Sequence, residues 1–340
     1  MRLSRRLVPV LAFLSLGVAL RVPERASAAG SLDELYEKAK AEGKVTLYSA
    51  LSARSTEVIL PAFRKRFPAL TVDHVDATAD KLVARIVAEL RGGRVLGDVF
   101  GGALPYIVQV TEQKLLAPLE IPEAAAYPAE MKSDFWVATD TQFFIIGWNT
   151  SLVKKGTEPK GFEDLADARW KNGLMGEPRD FQLLVGLAKR KYKSDAKAIE
   201  LLKRIAANQV EFHRGHSQLA ELLVAGQRPV CFTCYAHHFP PRMKKGAPIQ
   251  SLLVEGVGEI GGAVSVLRGA PHPNAALLWA RWAVSEEGQR VFAVAGETPA
   301  HPRVEPLEKV RPEQAYMLGI EDVKEFPKYD KLWKEIFQLR

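Results

Sequence analysis

Between residues 31 and 102 the hydrophobic pattern switches repeatedly between the 3.6-residue period of a helix and the short apolar runs of a strand, with only brief joints. Ser31-Leu32-Asp33-Glu34 has the form of a capping box and opens a helix to about residue 42, where Gly43 stops it. Lys44-Val45-Thr46-Leu47-Tyr48-Ser49 then reads as a buried strand. A helix over 55–67 follows, with Pro61 as a place where it could bend. Thr71-Val72-Asp73-His74-Val75-Asp76 alternates cleanly as the next strand, a helix spans 79–91, and Asp98-Val99-Phe100 ends in Gly101-Gly102. Strands alternating with helices across short connections leave one economical solution, a parallel sheet covered by helices.

The β-rich run 136–152 is a natural crossover into a second unit. Beyond Pro159 the pattern predicts a helix over 162–168, a strand over 173–176, helices over 181–191, 195–208 and 217–225, and a strand over 228–233. Strands near 250–254 and 260–267 come next, then helices over 273–285, 286–295 and 328–338. Trp279 and Trp282 lie three apart on an apolar helix and belong to a core. The expected architecture is α/β with two lobes, each a mostly parallel sheet flanked by helices, joined by crossover strands. Residues 29–138 with 264–340 form the first lobe and 139–263 the second. Which lobe receives the last helices is left open.

Arg2, Arg5 and Arg6 precede an apolar run over 7–20, and Ala26-Ser27-Ala28 supplies small residues for cleavage. This order predicts a signal peptide over 1–28 and a periplasmic location. The apolar run is shorter than the ~20 residues needed to span a bilayer, and Pro9 interrupts it. The whole chain is formally +7, but residues 1–28 hold five Arg and one Glu, so the remainder is only about +3. A nucleic-acid binder would show a stronger and more clustered excess. An apolar content of 47% with 26% charged residues excludes a disordered chain.

The two cysteines, Cys231 and Cys234, sit in a β-branched, strand-like run. Three residues along an extended strand span about 10 Å, beyond the ~7 Å limit for a disulfide. Two buried thiols are therefore expected; a bridge requires the strand to end near Phe232.

Several segments in order resemble the periplasmic solute-binding proteins of ABC importers, in particular the branch that contains the ferric-iron-binding proteins. They include Gly43-Lys44-Val45-Thr46-Leu47-Tyr48-Ser49, Gly97-Asp98-Val99-Phe100-Gly101-Gly102, Gly147-Trp148-Asn149-Thr150, Gly269-Ala270-Pro271-His272-Pro273-Asn274 and Ser285-Glu286-Glu287-Gly288-Gln289. The resemblance implies the type II two-lobe fold of these receptors, hinge closure on a small solute, delivery to an ABC permease in the inner membrane, and a monomer without a cofactor. It implies no catalysis. In open α/β sheets ligands sit beyond the carboxyl ends of strands, near helix N-termini.

That rule selects Ser49, Ala50 and Ser52 after the first strand, where Ser52 or Ser55 also serves as helix cap. Gly101 and Gly102 offer close backbone approach or a plain turn. Thr141 and Gln142, just before the crossover core, face the cleft. Arg179 is a candidate bidentate clamp on a carboxylate or phosphonate, unless Asp180 merely caps a helix and Arg179 is solvated. His216 and Ser217 stand at another helix start, as caps or as solute contacts. Ferric-binding relatives carry adjacent tyrosines near the position of Tyr235, because hard Fe³⁺ favours phenolate. Here one Tyr is followed by His237 and His238, which leaves Tyr235, His237 and His238 as the metal candidates and Fe³⁺ as a possible cargo. A small anion is the preferred solute because the tyrosine pair is missing. The competing class is an exported metal-dependent hydrolase, but neither H-E-x-x-H nor G-x-S-x-G occurs.

Overall fold

The computed structural model describes residues 30–339, so the expected signal peptide lies outside them. Leu32–Lys40 (α1), Lys44–Ser49 (β1), Ala53–Arg66 (α2), Thr71–Asp76 (β2), Ala79–Arg91 (α3), Val99–Gly102 (β3) and Leu104–Glu112 (α4) make the anticipated alternation. The Ser31–Glu34 capping box forms, each side chain bonding the other's backbone N–H. Helix α4 was not anticipated; it begins with Pro105 in its first turn, where a missing N–H costs nothing. A 13-residue strand, Val137–Asn149 (β4), carries the chain across.

Leu174–Gly176 (β5), Phe181–Gly186 (α5), Asp195–Ala206 (α6), Glu211–Phe212 (β6), His216–Ala225 (α7), Val230–Tyr235 (β7) and Phe239–Met243 (α8) build the second lobe. The helix expected over 162–168 is two 3₁₀ turns, and α5 passes into a π-helical turn at Leu187–Lys191. The strands expected near 250–254 and 260–267 are one 18-residue strand, Ile249–Val266 (β8). Pro273–Val284 (α9), Glu286–Ala295 (α10), Gln314–Met317 (β9), Ile320–Val323 (α11) and Phe326–Phe337 (α12) complete the described chain.

One sheet runs through both lobes in the order β2-β1-β3-β8-β4-β7-β5-β6, with β9 beside β8. Strands β1–β3 are parallel, as are β5, β6 and β7. The antiparallel pair β4 and β8 is shared. Its Val137–Val264 end belongs to the first lobe and its Asn149–Ile249 end to the second. The register of this pair breaks on both sides of Asp140. The core is split at the same level. Val137, Ala138 and Ile260 pack in one cluster, while Phe144, Ile146 and Val257 pack in another. The last helices divide accordingly. Trp279 and Trp282 of α9 stack edge-on against Phe63 in the first cluster, whereas Tyr329 and Trp333 of α12 are buried in the second.

The cysteines correct the sequence expectation: Cys231 and Cys234 form a disulfide, with Cα atoms 5.8 Å apart. Strand β7 does not end before the bridge but bulges. Cys234 pairs with Ile145 and Cys231 with Gly147, so three steps along β7 match two along β4. The extra residue shortens the span that a regular strand would impose. A bridge closing so small a loop is worth about 2 kcal/mol. Cys231→Ser/Cys234→Ser is expected to lose that much in urea unfolding, and an unchanged midpoint would show the bulge to be stable without the bridge.

Candidate functional site

Where the two core clusters part, a cavity of about 980 Å³ opens between the lobes. On the first-lobe side it is walled by the starts of α2, α3 and α4, represented by Ser52, Thr78 and Ala103. Its floor is the shared strand pair, with Thr139, Asp140 and Gln142 on β4 facing Gly261 and Gly262 on β8. Ser217, His237 and His238 supply the second-lobe wall.

Several expected residues meet here: Ser49, Ala50, Ser52, Gly101, Gly102, Gln142, Ser217 and His238, together with His237. Their polar atoms are partly engaged already. The Ser49 hydroxyl is bonded to His74 Nε2 at 2.8 Å. Ser52 caps α2 by accepting from the Ser55 N–H, and the Ser55 hydroxyl donates to Glu297. Gly215, with a φ of 92°, stands at the N-cap of α7, so neither His216 nor Ser217 caps that helix.

Thr141, Arg179, Asp180, His216 and Tyr235 are not among the cavity-lining residues. Side chains alternate along a strand, and Thr141 accordingly turns away from the cavity, its N–H bonded to Thr298 O. Arg179 is held by Glu177 through two hydrogen bonds of 2.9 and 2.6 Å. Asp180 stands at the N-cap of α5 without a side-chain cap bond; its carboxylate meets His216 Nε2 at 3.1 Å. His216 stacks on Tyr235 at 3.7 Å, and the Tyr235 hydroxyl donates to Glu259 at 2.9 Å. Asp180, His216, Tyr235 and Glu259 thus form one continuous chain of contacts in the second lobe.

Burial sets the charges. It lowers His237 to about 4 and His238 to about 3, so both imidazoles are neutral at physiological pH. It raises Glu259 to about 7 and lifts the Tyr235 phenol well above its ordinary value, with the Glu259 charge adding to the effect. Asp140 is raised to about 8, by burial first and then by the charge of Glu297. Glu297 is raised by burial. Among the described residues, no group of three or more His, Cys, Asp or Glu side chains is arranged to hold a metal ion.

Three functional candidates escaped the sequence reading. Asp140 is 5% exposed and lines the floor; it stands between Thr139 and Thr141 in the β-rich crossover run. Glu297 follows the αL glycine that ends α10. Arg54 lies in the first turn of α2, and that placement was a legible signal. A cation at a helix N-terminus opposes the helix dipole and is better explained by what it faces than by the helix it sits on. Its guanidinium packs against Gly296 and its charge reaches His237 on the opposite lobe.

Two lobes joined through a shared strand pair, with a cavity walled by both, define a solute-binding receptor fold. Residues 59–316 match the family of bacterial extracellular solute-binding proteins. The chain belongs to this family, whose members serve ABC importers as substrate-binding transport proteins. An uncharacterised protein of Haemophilus influenzae is 25% identical over 276 residues, 76% of this chain and 78% of its own length. Iron-bound HitA from Pseudomonas aeruginosa superposes with a TM-score of 0.70 at 19% identity, covering 86% of this chain and 99% of its own. The periplasmic binding protein AfuA from Actinobacillus pleuropneumoniae, with fructose-6-phosphate bound, gives 0.67 at 21% identity over 88% and 100%. At these identities the likeness carries the fold. The family is extracellular, and among the described residues no helix is long and apolar enough to cross a membrane.

Proposed function

We propose that the chain is a monomeric periplasmic receptor that captures a small organic solute bearing an anionic group and presents it, unaltered, to an inner-membrane permease. The observation that carries this reading is the cavity itself, large enough for an organic molecule and walled by both lobes and the hinge. Arg54 and the N-termini of α2, α3 and α4 give its first-lobe wall positive potential. The role first given to Arg179 passes to Arg54, because Arg179 is occupied by Glu177. Closure follows as population shift: a solute that touches both walls binds the closed form better than the open one.

Iron-bound HitA favours ferric iron as a second reading. It requires the Tyr235 phenol to leave Glu259 and to ionise against the burial that raises it. Calorimetry with carboxylates, phosphonates, sugar phosphates and ferric citrate, paired with small-angle scattering, tests both. The expected result is binding of an organic anion with a smaller radius of gyration and no turnover. Closure by ferric citrate alone, abolished in Tyr235→Phe, would establish iron instead, and consumption of the bound compound would sink the receptor reading.

A further inference from the structure

The charges lining the cavity do not balance as a simple anion site would. Arg242 is tied to Glu221 and Lys244 to Glu308. What remains without an ion pair, among the described residues that line it, is Arg54 with two carboxylates: Glu297, whose ionised form the nearby Arg54 charge favours, and Asp140, on which no cation acts. Asp140 is the more telling of the two. It is 5% exposed, its Oδ2 accepts only from the neighbouring Thr139 hydroxyl at 3.0 Å, and its Oδ1 has no hydrogen bond. Burying a carboxylate without a cation is costly, and the fold makes room for it deliberately. A Cβ on Gly261 would stand 2.3 Å from Asp140 Oδ1, and one on Gly262 would stand 2.3 Å from Oδ2. The two glycines of β8 therefore form a cradle that any other residue would fill. Glu297 approaches from the α10 side, two residues before Pro299, which pairs with Asp140 across an isolated bridge. Its carboxylate is held by the Ser55 hydroxyl of α2 through one oxygen, and the other has no hydrogen bond.

Resting on the receptor reading above, we infer that the solute is zwitterionic: its anionic group meets Arg54 and the first-lobe helix N-termini, and a protonated amine meets Asp140 and Glu297. The anionic group is a carboxylate or a phosphonate; the site chemistry is common to both. A purely anionic solute offers neither carboxyl a positive charge, and its own charge would further oppose the ionisation of Asp140 that burial already disfavours. A hydroxylated anion would hydrogen-bond one carboxyl but would likewise bring the pair no positive charge. An ammonium supplies up to three donors and one positive charge, which balances the ionised form of Asp140. The neutral His237 and His238 on the facing wall can accept or donate hydrogen bonds without adding charge.

The test is calorimetry on the purified full chain. One arm uses ω-aminocarboxylates from glycine to 6-aminohexanoate, and a second uses the matching ω-aminoalkylphosphonates. The corresponding n-alkyl acids, n-alkylphosphonates, n-alkylamines and glucose 6-phosphate are the controls. A zwitterion in one of the two arms is expected to bind at least tenfold more tightly than its des-amino and des-acid parents, and the arm that binds identifies the anionic group. Asp140→Asn and Glu297→Gln should each weaken it at least tenfold, and Arg54→Met should do the same from the other end. Asp140→Asn should also narrow the preference over the des-amino parent, which a merely structural role would not do. Titration in buffers of different ionisation enthalpy should show proton release on binding, as the ammonium drives the Asp140 carboxyl to ionise.

Tighter binding of glucose 6-phosphate or of a plain anion, undiminished in Asp140→Asn, would overturn the zwitterion while leaving a solute receptor intact. Binding and closure by ferric citrate alone would do likewise. Absence of binding by every member of both arms would also overturn it. If no compound, ferric citrate and sugar phosphates included, contracts the scattering profile, the receptor reading fails as well.

Discussion

Gln289→Leu is expected to destabilise the protein by about 3 kcal/mol, although the replacement is close in volume. Gln289 is fully buried at the start of α10. Its amide nitrogen donates to Thr139 O at 2.8 Å and to Ala283 O at 2.9 Å, and its carbonyl oxygen accepts from the His301 N–H at 3.0 Å. One side chain therefore joins β4 beside Asp140, the end of α9 and the segment after α10. Leucine leaves the His301 donor without a partner and removes a donor from each carbonyl, at about 1–3 kcal/mol for an orphaned buried group. Urea unfolding reads the loss as a lowered midpoint with an unchanged slope. Because Thr139 precedes Asp140 in the cavity floor, solute affinity should fall with stability. A midpoint within about 0.5 kcal/mol of the parent would mean that the three backbone groups find other partners. The same residue explains part of the sequence segment Ser285-Glu286-Glu287-Gly288-Gln289. Ser285 caps α10 by accepting from the Gly288 N–H, and a Cβ on Gly288 would lie 2.0 Å from the Trp282 carbonyl oxygen.

The first lobe was legible because its elements obey local rules. The capping box, the stop at Gly43 and the clean alternation at Thr71–Asp76 all act within a few residues, and the structure places them as read. The second lobe was read less well where tertiary contacts overrule local pattern. The gap read between 254 and 260 is spanned by one long strand, and Gly261-Gly262 within it makes room for a carboxylate on the partner strand. The disulfide was missed because a bulge in β7 is set by pairing with β4, which no window of the sequence displays.

The candidate site divides in the same way. Positions after strands and at helix starts, such as Ser52 and Gly102, could be found from topology alone. Selecting both Thr141 and Gln142 ignored the alternation of a strand, which puts Asp140 with Gln142 on the cavity side; only the irregular register around Asp140 brings its neighbour Thr139 into the lining as well. Arg179 attracted notice as an arginine before a helix, but Glu177, two positions earlier, holds it. Short-range charge pairing was visible in the sequence and would have removed it.

The buried charges predict how the solute-free protein responds to pH. Asp140, at about 8, Glu259, at about 7, and Glu297 all have folded pKa values above their unfolded ones. Such acids keep their proton in the folded state when the unfolded chain has lost it. Their contribution is complete below about pH 4 and is lost as pH rises through 7 to 8. His237 and His238 act in the opposite sense. Their folded values of about 4 and 3 lie below the unfolded 6.5, so their contribution is present above pH 6.5 and fades as pH falls. The two sets oppose each other between pH 4 and 6.5, and only the acids titrate between 6.5 and 8.5. Stability should therefore peak at about pH 5, where the two sets come closest to cancelling, and fall by about 2 kcal/mol between pH 6.5 and 8.5. Urea unfolding at intervals of half a pH unit measures this. Asp140→Asn removes the group with the highest value and should flatten the alkaline fall by more than half, and it should let stability rise more steeply with pH between about 4 and 6.5, where one acid fewer opposes the histidines. A variant that keeps the parent's full slope would assign that slope to Glu259, which sits among Tyr235, Asp180 and His216 rather than in the open cavity, and would leave Asp140 ionised in the solute-free cleft.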